Sequence, residues 1–508
     1  MSSLPVVASG DGVGLASGPS GVGSALACGV GDGVGDWVGD WVGDWVGDWV
    51  GDWVGDGVGD GVGDGTLWAW VVASAVSAIR KTKNVCMDIS ANCAELEIRA
   101  ILESLGKRMN PPAFAQRNLP PVEMARGYRD RSGFVFLDSS LPGAGSLSMM
   151  AWEPDLWIEG CDWQALENEL AKRAEVSPDL GYPTGAAIGT VDFNGQFCFG
   201  FYDHIAVFSH DCARWLVPIE ESPPRSQVVS GAKLEFSALV AREDFIFAVE
   251  KVKEYIRAGD IYQACISYPY SAKATMSAWD YYERLRHFSP APFAAWLAQS
   301  HRQITSASPE CFLRMAGRRI TTRPIKGTRP RCSDTQHDQR MAYDLITSPK
   351  EIAELIMITD LERNDLGRVC EYGSISVPEL LRMETYEQVF HLVSTVQGHL
   401  RDEVTQVQAL RKCFPGGSIS GAPKKRALEI IAEVERFPRG LYTGALGYFG
   451  YNGESQFSVA IRTAIFEQGR ATFHAGAGIV ADSEPEREWE ETQAKASGLL
   501  LAAEGQFA

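Results

Sequence analysis

Apolar and polar positions change rhythm several times along this chain. From Gly31 to Gly65 neither a helical nor a strand period is present. A four-residue unit, Gly-Asp-Gly/Trp-Val, places Trp37, Trp41, Trp45, Trp49 and Trp53 four residues apart. That spacing could put the rings near one helical face, but a glycine in every unit costs roughly 1 kcal/mol apiece in a helix. The unit is also far shorter than solenoid repeats of about 20 residues. Residues 1–66 therefore read as a low-complexity stretch without a stable fold. It is either a flexible arm with exposed Trp or a tandem repeat upstream of a later start at Met87, Met109 or Met124. Residues 67–119 read as a linker or helical segment. Leu67–Ile79 is a largely apolar stretch of 13 residues, short of the ~20 a membrane span needs. Glu95–Leu105 reads as a short helix before the breaker Asn110-Pro111-Pro112.

From Pro120 the texture is that of a folded protein. Gly133–Asp138 predicts a strand, and Asp192–Tyr202 a hairpin turning at Asn194-Gly195. Phe245–Arg257, Glu351–Leu361, Lys424–Arg436 and Glu488–Ala502 have helical periodicity. Leu441–Tyr451, Gln456–Phe466 and Ala471–Val480 read as successive strands. Strand runs punctuated by helices, without strict alternation, predict an α+β fold with large antiparallel sheets. Residues 120–235 form its N-terminal part and residues 236–508 the region that carries the chemistry.

Charge and composition narrow the function. The net charge is −18, of which ten Asp in residues 1–66, with no Lys or Arg there, supply −10. So acidic a chain is a poor non-specific nucleic-acid binder, which needs clustered cations facing phosphate. A small anionic substrate would need a local cationic pocket or a metal. The eleven Cys show no CxxC and no zinc spacing, which suggests reduced thiols in a cytosolic protein. No charged start followed by an apolar run marks a secretory leader. A cytoplasmic protein that neither enters nor spans a membrane is expected.

Five features could carry chemistry. Glu351 and Glu354, and again Glu488 and Glu491, stand three apart on predicted helices and so share a face. Two such pairs meeting across a cleft would offer oxygens to a hard cation such as magnesium; as a bare pattern they equally describe solvated helix faces, with Glu491–Lys495 a surface ion pair. The loop Phe414–Lys424 has the glycine gap of a phosphate loop, but Ala422 and Pro423 displace the lysine. It could present N–H groups to an anion from a helix start with Pro423 near its first position, or be a tight structural turn. Lys326, between Ile325 and Gly327, is either a surface lysine or a desolvated one that loses its proton readily and can act as a nucleophile. Arg462, in the apolar run Val459–Thr463, needs a carboxylate partner from protein or substrate. The glycines of His474–Val480 allow close backbone approach to a ligand.

Taken together, these segments resemble the chorismate-utilising enzymes: anthranilate synthase component I, aminodeoxychorismate synthase component I, isochorismate synthase and salicylate synthase. The matching stretches are Ile261–Ala264, Ala307–Glu310, Arg323–Thr328, Ser348–Glu354 and Asp360–Gly367. They continue with His391–Ser394, Pro415–Lys424, Ala460–Thr463 and Ala475–Val480 through Glu491-Thr492, in order over roughly residues 240–505. The resemblance implies the anthranilate synthase component I-like α+β fold, with helix-flanked antiparallel sheets around a deep cleft.

Carried over position by position, it implies Mg2+ held directly by Glu354 and Glu491, and through water by Glu351 and Glu488. The metal would hold the ring carboxylate of chorismate. Tyr442, Arg462, Gly476 and Lys495 would line the substrate carboxylate sites, with Gln263, Gly327 and Thr328 also at the substrate. Glu310 would be the general acid for the C4 hydroxyl, and His391 would orient the ring. Members that add water at C2 use a lysine where this chain has Gln263, and anthranilate synthases usually have Ala where it has Lys326. The Pro-Ile-Lys-Gly-Thr form looks like the aminodeoxychorismate-forming type, with Lys326 attacking C2. The resemblance also implies a separate glutamine amidotransferase as ammonia source, and a possible tryptophan in the N-terminal part near Phe136–Ser139. Anthranilate formation is the alternative within the family; a non-catalytic scaffold or adhesive built on the Trp repeat is the alternative outside it.

Overall fold

The computed structural model describes residues 119–504, apart from 144, 176–179, 218–231 and 387–388. The expectations for residues 1–118 lie outside the described residues. The chain divides into two units, and all described residues belong to the one spanning Pro111–Ala508.

Two antiparallel sheets form its framework. The first has 11 strands, among them Gln263–Lys273, Arg470–Ile479, Thr463–Glu467, Gln303–Ser308, Phe293–Ala298 and Val135–Asp138, in that spatial order. The second has 10, and runs from Ile325–Pro330 through Val389–His399, Arg319–Arg323, Cys311–Ala316, Glu454–Val459 and Ala445–Gly450 to Ala186–Val191. Strands from both the 120–235 and 236–508 stretches enter each sheet. The architecture is α+β.

Strand periodicity explains how the sheets stack. Side chains alternate between faces, so Ala186 and Ile188 join the core between the sheets with Val135, Leu297 and Leu446. Ala187 and Val191 point the other way, into a core with Phe199, Leu313 and Phe457. The outer face of the first sheet is covered by helices Arg242–Arg257, Ala278–Phe288, Lys424–Val434 and Pro485–Glu504, over Ile266, Phe473 and Ala477. This burial on both faces is why Ala186–Val191 and Phe197–Tyr202 read as continuous apolar runs. Their hairpin turns through Gly195 at φ +85°, which glycine adopts without a steric cost.

One predicted element is corrected. Gln456–Phe466 is not a single strand. Glu454–Val459 belongs to the second sheet and Thr463–Glu467 to the first. The chain changes sheets between them, with Arg462 at φ +51°. Apolar periodicity carries straight through Ala460 and Ile461 because both sides of the break are buried. Pro423 is likewise one position earlier than expected, at the N-cap of helix Lys424–Val434.

Near the N-terminal end, Asp138 is buried and paired with Arg286 at 3.0 Å, and accepts hydrogen bonds from Ser148 Oγ and Tyr282 Oη. All eight described cysteines are free. No described helix is long and apolar enough to cross a membrane.

Candidate active site

A cavity of about 480 Å³ is lined by strands of both sheets and by two helices. Its first wall is backbone. Strands Gln263–Lys273 and Arg470–Ile479 pair with Gly476 opposite Ser267 and Gly478 opposite Cys265. A Cβ on Gly476 would stand 2.5 Å from the Ile266 carbonyl oxygen, and one on Gly478 only 2.5 Å from Gln263 Nε2. At Gly476 the obstacle is backbone, and at Gly478 the end of the Gln263 side chain would have to move. His474, on the same strand, stacks on Tyr442 with ring centroids 5.2 Å apart. Burial and the nearby Arg439 hold its imidazole down at about 3, so it is neutral at physiological pH.

The opposite wall is the strand Ile325–Pro330 against Val389–His399. The register slips between Lys326 and Thr328, so Lys326 pairs with Leu392 and Thr328 with His391. Gly327 sits at the slip with φ +75°. This bulge turns Lys326, Gly327 and Thr328 into the cavity together. His391 Nδ1 shares a 2.9 Å hydrogen bond with Thr328 Oγ1. Burial and the Arg462 guanidinium push the His391 imidazole down to about 4.

Two helices supply the acidic groups. Pro349–Gly367 starts at Ser348, whose hydroxyl accepts the Glu351 N–H, with Pro349 in the first turn. Its opening turns carry Glu351 and Glu354, and the other helix, Pro485–Glu504, carries Glu488 and Glu491. Lysines lie among these carboxylates. Lys326 Nζ is 3.7 Å from Glu354, Lys350 is 3.9 Å from Glu354 and 3.4 Å from Glu488, and Lys495 is 2.6 Å from Glu491. Arg329 is 3.5 Å from Glu351.

These contacts set the charge states. Enclosure raises Glu354 above the ordinary carboxylate range, against the pull of Lys326 and Lys350. Enclosure alone would raise Glu491 too, but Lys495, Lys350 and Lys326 outweigh it and leave that carboxyl lowered. Lys326 corrects an expectation. Burial alone would make it lose its proton more easily, but Cys265 and the carboxyls of Glu354, Glu310 and Glu491 more than offset that, and its ammonium is favoured.

Glu310 lies in the cavity wall, 6% exposed. Burial raises its carboxyl, against the Ser418 hydroxyl, which donates to Oε1 at 2.6 Å, and the charge of Lys326. Ser418 comes from the Phe414–Lys424 loop, whose two readings can now be compared. The Gly417 N–H is already given to Glu362 Oε1, at 2.9 Å. Lys424 is paired with Asp365 and donates to the Pro415 carbonyl. In this loop the protein's own carboxylates take the places an anion would.

Arg462 also lines the cavity. Among the described residues its guanidinium has neither a carboxylate nor a hydrogen-bond partner. Burial lowers its pKa, and no neighbouring acid compensates. The nearby Arg439, by contrast, is fully engaged by Glu435, Thr443 and the Cys265 and Ile419 carbonyls.

Of the residues singled out in the sequence, Lys326, Glu310, His391, Gly327, Thr328, Tyr442, Arg462, Gly476, Lys495, Glu351, Glu354 and Glu491 share this cavity wall. Two are set back. Gln263 is fully buried against Gly478, and its Oε1 has no partner among the described residues. Glu488 accepts from Ser483 Oγ at 2.6 Å through Oε1, while its buried Oε2 has no partner among the described residues. Sequence reasoning missed Lys350, Cys265, His474 and Ser418 as wall residues. Lys350 carries a readable signal, four residues before Glu354; Cys265 has none beyond its place after the Ile261–Ala264 stretch.

No three His, Cys, Asp or Glu side chains among the described residues are gathered tightly enough to hold a metal ion as they stand. The donor chemistry nonetheless suits a hard cation. The candidate ligands are all carboxylate oxygens, ammonium groups already neutralise them, and Glu488 Oε2 is a buried acceptor with no donor among the described residues.

Comparison with known proteins identifies the family. The sequence pattern of a family described as chorismate binding enzyme matches residues 185–501. Anthranilate synthase component 1 of Thermus thermophilus is 46% identical over 275 residues, covering 54% of this chain and 60% of that protein. Aminodeoxychorismate synthase component 1 of Bacillus subtilis is 44% identical over 269 residues, covering 53% and 57%. The chain thus spans a little over half the length of these curated relatives. The crystal structure of anthranilate synthase component I from Streptococcus pneumoniae superposes with a TM-score of 0.64 at 28% identity, over 77% of this chain and 100% of that one. The chain belongs to the chorismate binding enzyme family.

Proposed function

We propose that this protein is an aminodeoxychorismate synthase component I. It would convert chorismate and ammonia to 4-amino-4-deoxychorismate for para-aminobenzoate and folate synthesis, in the cytoplasm, with a separate glutamine amidotransferase supplying the ammonia. The observation that carries this reading is Lys326, held inside the cavity among carboxylates rather than at the surface.

The residues divide the work by charge. Arg462, a cavity-wall guanidinium without a partner among the described residues, supports one substrate carboxylate, with Tyr442, Gly476 and Lys495 beside it. Glu354 and Glu491 would hold magnesium directly, and Glu351 and Glu488 through water. When bound, the metal supplies positive charge for the ring carboxylate. Glu310 gives its proton to the departing C4 hydroxyl while Lys326 Nζ forms a bond to C2. Ammonia then adds at C4 and the C2–N bond to Lys326 breaks. Lys326 must be neutral to attack and Glu310 protonated to donate, so the proton that leaves one is needed on the other. Neutral His391, fixed by Thr328, orients the ring. Positioning and preorganised charge provide the rest.

A second reading, anthranilate synthesis, is favoured by the name of the Thermus relative, at an identity like that of the Bacillus one. Incubating the purified chain with chorismate, magnesium and ammonium, and identifying the product by mass spectrometry against standards, separates the two. Aminodeoxychorismate, lost in Lys326→Ala, is the expected result. Anthranilate would overturn the subtype.

A further inference from the structure

Glu362 is one of the buried acids that this mechanism leaves unused. Glu362 is 2% exposed, on the same helix as Glu351 and Glu354 but two turns further on. Its Oε1 accepts the Gly417 N–H at 2.9 Å. The next residue, Ser418, donates to Glu310 Oε1 at 2.6 Å. The turn lies directly on the helix. A Cβ on Gly417 would stand 2.8 Å from Leu361 Cδ2 and 3.0 Å from Glu362 Oε1. One helical turn after Glu362, Asp365 pairs with Lys424, whose Nζ also holds the Pro415 carbonyl at 2.6 Å. Both ends of the turn are therefore tied to one face of this helix.

We propose that Glu362 is a positioning residue for Glu310: it fixes the Gly417–Ile419 turn so that the Ser418 hydroxyl stays on the Glu310 carboxyl. The inference rests on the reading of Glu310 as the general acid. The helix then serves as a ruler. Glu354 and Glu362 are separated by about 12 Å at 1.5 Å per residue, so one rigid element sets both the candidate metal ligands and the acid. Burial and the adjacent Asp365 push the Glu362 carboxyl up to about 7. It therefore stays largely uncharged in mildly acidic solution and can be replaced by an uncharged side chain of the same shape.

The test compares Glu362→Met, Glu362→Gln, Ser418→Ala and the Glu362→Met/Ser418→Ala double variant in the full chain. Chorismate consumption is followed with magnesium and ammonium, and folding is checked by thermal melting. Glutamine keeps the acceptor for Gly417, and methionine removes it at similar volume. Expected are a ten- to hundredfold loss of kcat in Glu362→Met, with KM for chorismate within threefold, and kcat within threefold of the parent in Glu362→Gln. The double variant should lie within threefold of Ser418→Ala, because residues acting through one another are not additive. Should Glu362→Met not fold, Glu362→Ala is read in the same way. The inference is overturned if Glu362→Met keeps the parent kcat while Ser418→Ala is impaired, if only KM changes, if glutamine fails to rescue, or if the two losses multiply. Glu310→Gln with the parent kcat would overturn the underlying reading, and the inference with it.

Discussion

Lys326 Nζ stands 3.7 Å from Glu354 Oε2, with both groups in the wall of one cavity. A lysine there is a reactive group kept in its unreactive form, since its ammonium is favoured by the acids around it. Lys326→Ala should lower turnover with ammonium by about a thousandfold or more, the scale of losing an activated nucleophile. Melting of the variant should be recorded beside turnover, because the substitution also removes three methylenes and the ammonium facing Glu354. Intact-mass analysis after acid quench should show a chorismate-derived adduct on the parent protein and none on the variant.

Magnesium binding can be read without turnover. A ligand that binds only the folded chain raises its melting temperature with concentration. Magnesium should therefore raise the midpoint for the parent, and Glu354→Gln or Glu491→Gln should weaken the calorimetric affinity at least tenfold. Glu488→Gln should weaken it less. Equal affinity in all of these variants would remove the carboxylate assignment.

His391 makes a pH prediction for stability. Its imidazole sits at about 4 in the fold, against an ordinary 6.5. Between those values the unfolded chain binds more protons than the folded one, so this group makes stability rise with pH. Its contribution is fully present above about 6.5 and is lost as pH falls through about 4, with a scale of up to roughly 3 kcal/mol. Denaturant unfolding of His391→Gln should show a shallower fall in stability over that window than the parent does.

Gly478→Ala should reduce kcat/KM by tenfold or more. Its new methyl would meet Gln263 Nε2 at 2.5 Å, with Lys326 Nζ 3.5 Å away. The clash is with the end of a side chain, so adding Gln263→Ala should restore much of the stability. At Gly476 the obstacle is the Ile266 carbonyl oxygen, 2.5 Å away. Gly476→Ala should cost more, about 1–3 kcal/mol of overpacking, and no comparable side-chain partner can relieve it.

Arg462 combines a cavity-wall charge, unpaired among the described residues, with a left-handed backbone, at φ +51°. Strain of that kind costs about 1 kcal/mol or more and persists at functional positions. Arg462→Gly should melt no lower than the parent while KM for chorismate rises roughly a hundredfold. A variant that melts far lower would mean that the guanidinium serves the fold rather than a ligand.

Local rules made some helix faces and turns legible, while the roles of the site residues came only from the family resemblance. The i, i+3 glutamates needed only helical periodicity, and Ser348-Pro349 marks the helix start that presents Glu351 and Glu354. The hairpin around Asn194-Gly195 follows from turn chemistry alone. Other features depend on partners remote in sequence. Nothing near Arg462 shows that the chain leaves one sheet for another, because buried residues continue on both sides of the break. The charge on Lys326 depends on Glu354, Glu310 and Glu491, which approach from three other segments. Ser418 and Glu362 meet through a turn docked on a helix some 55 residues earlier, a contact that neither local pattern encodes.

The pairing of Ala186–Val191 with Ala445–Gly450 has a consequence for biogenesis. On the ribosome, the earlier strand leaves the exit tunnel about 250 residues before its neighbour, a delay of roughly 13–50 s at about 5–20 residues/s. Through that interval one hydrogen-bonding edge of a strand buried on both faces in the finished fold stays uncovered, a ready template for pairing with another nascent chain. Yield in a cell should therefore depend more on holdase chaperones and on translation speed than on the equilibrium stability of the finished protein.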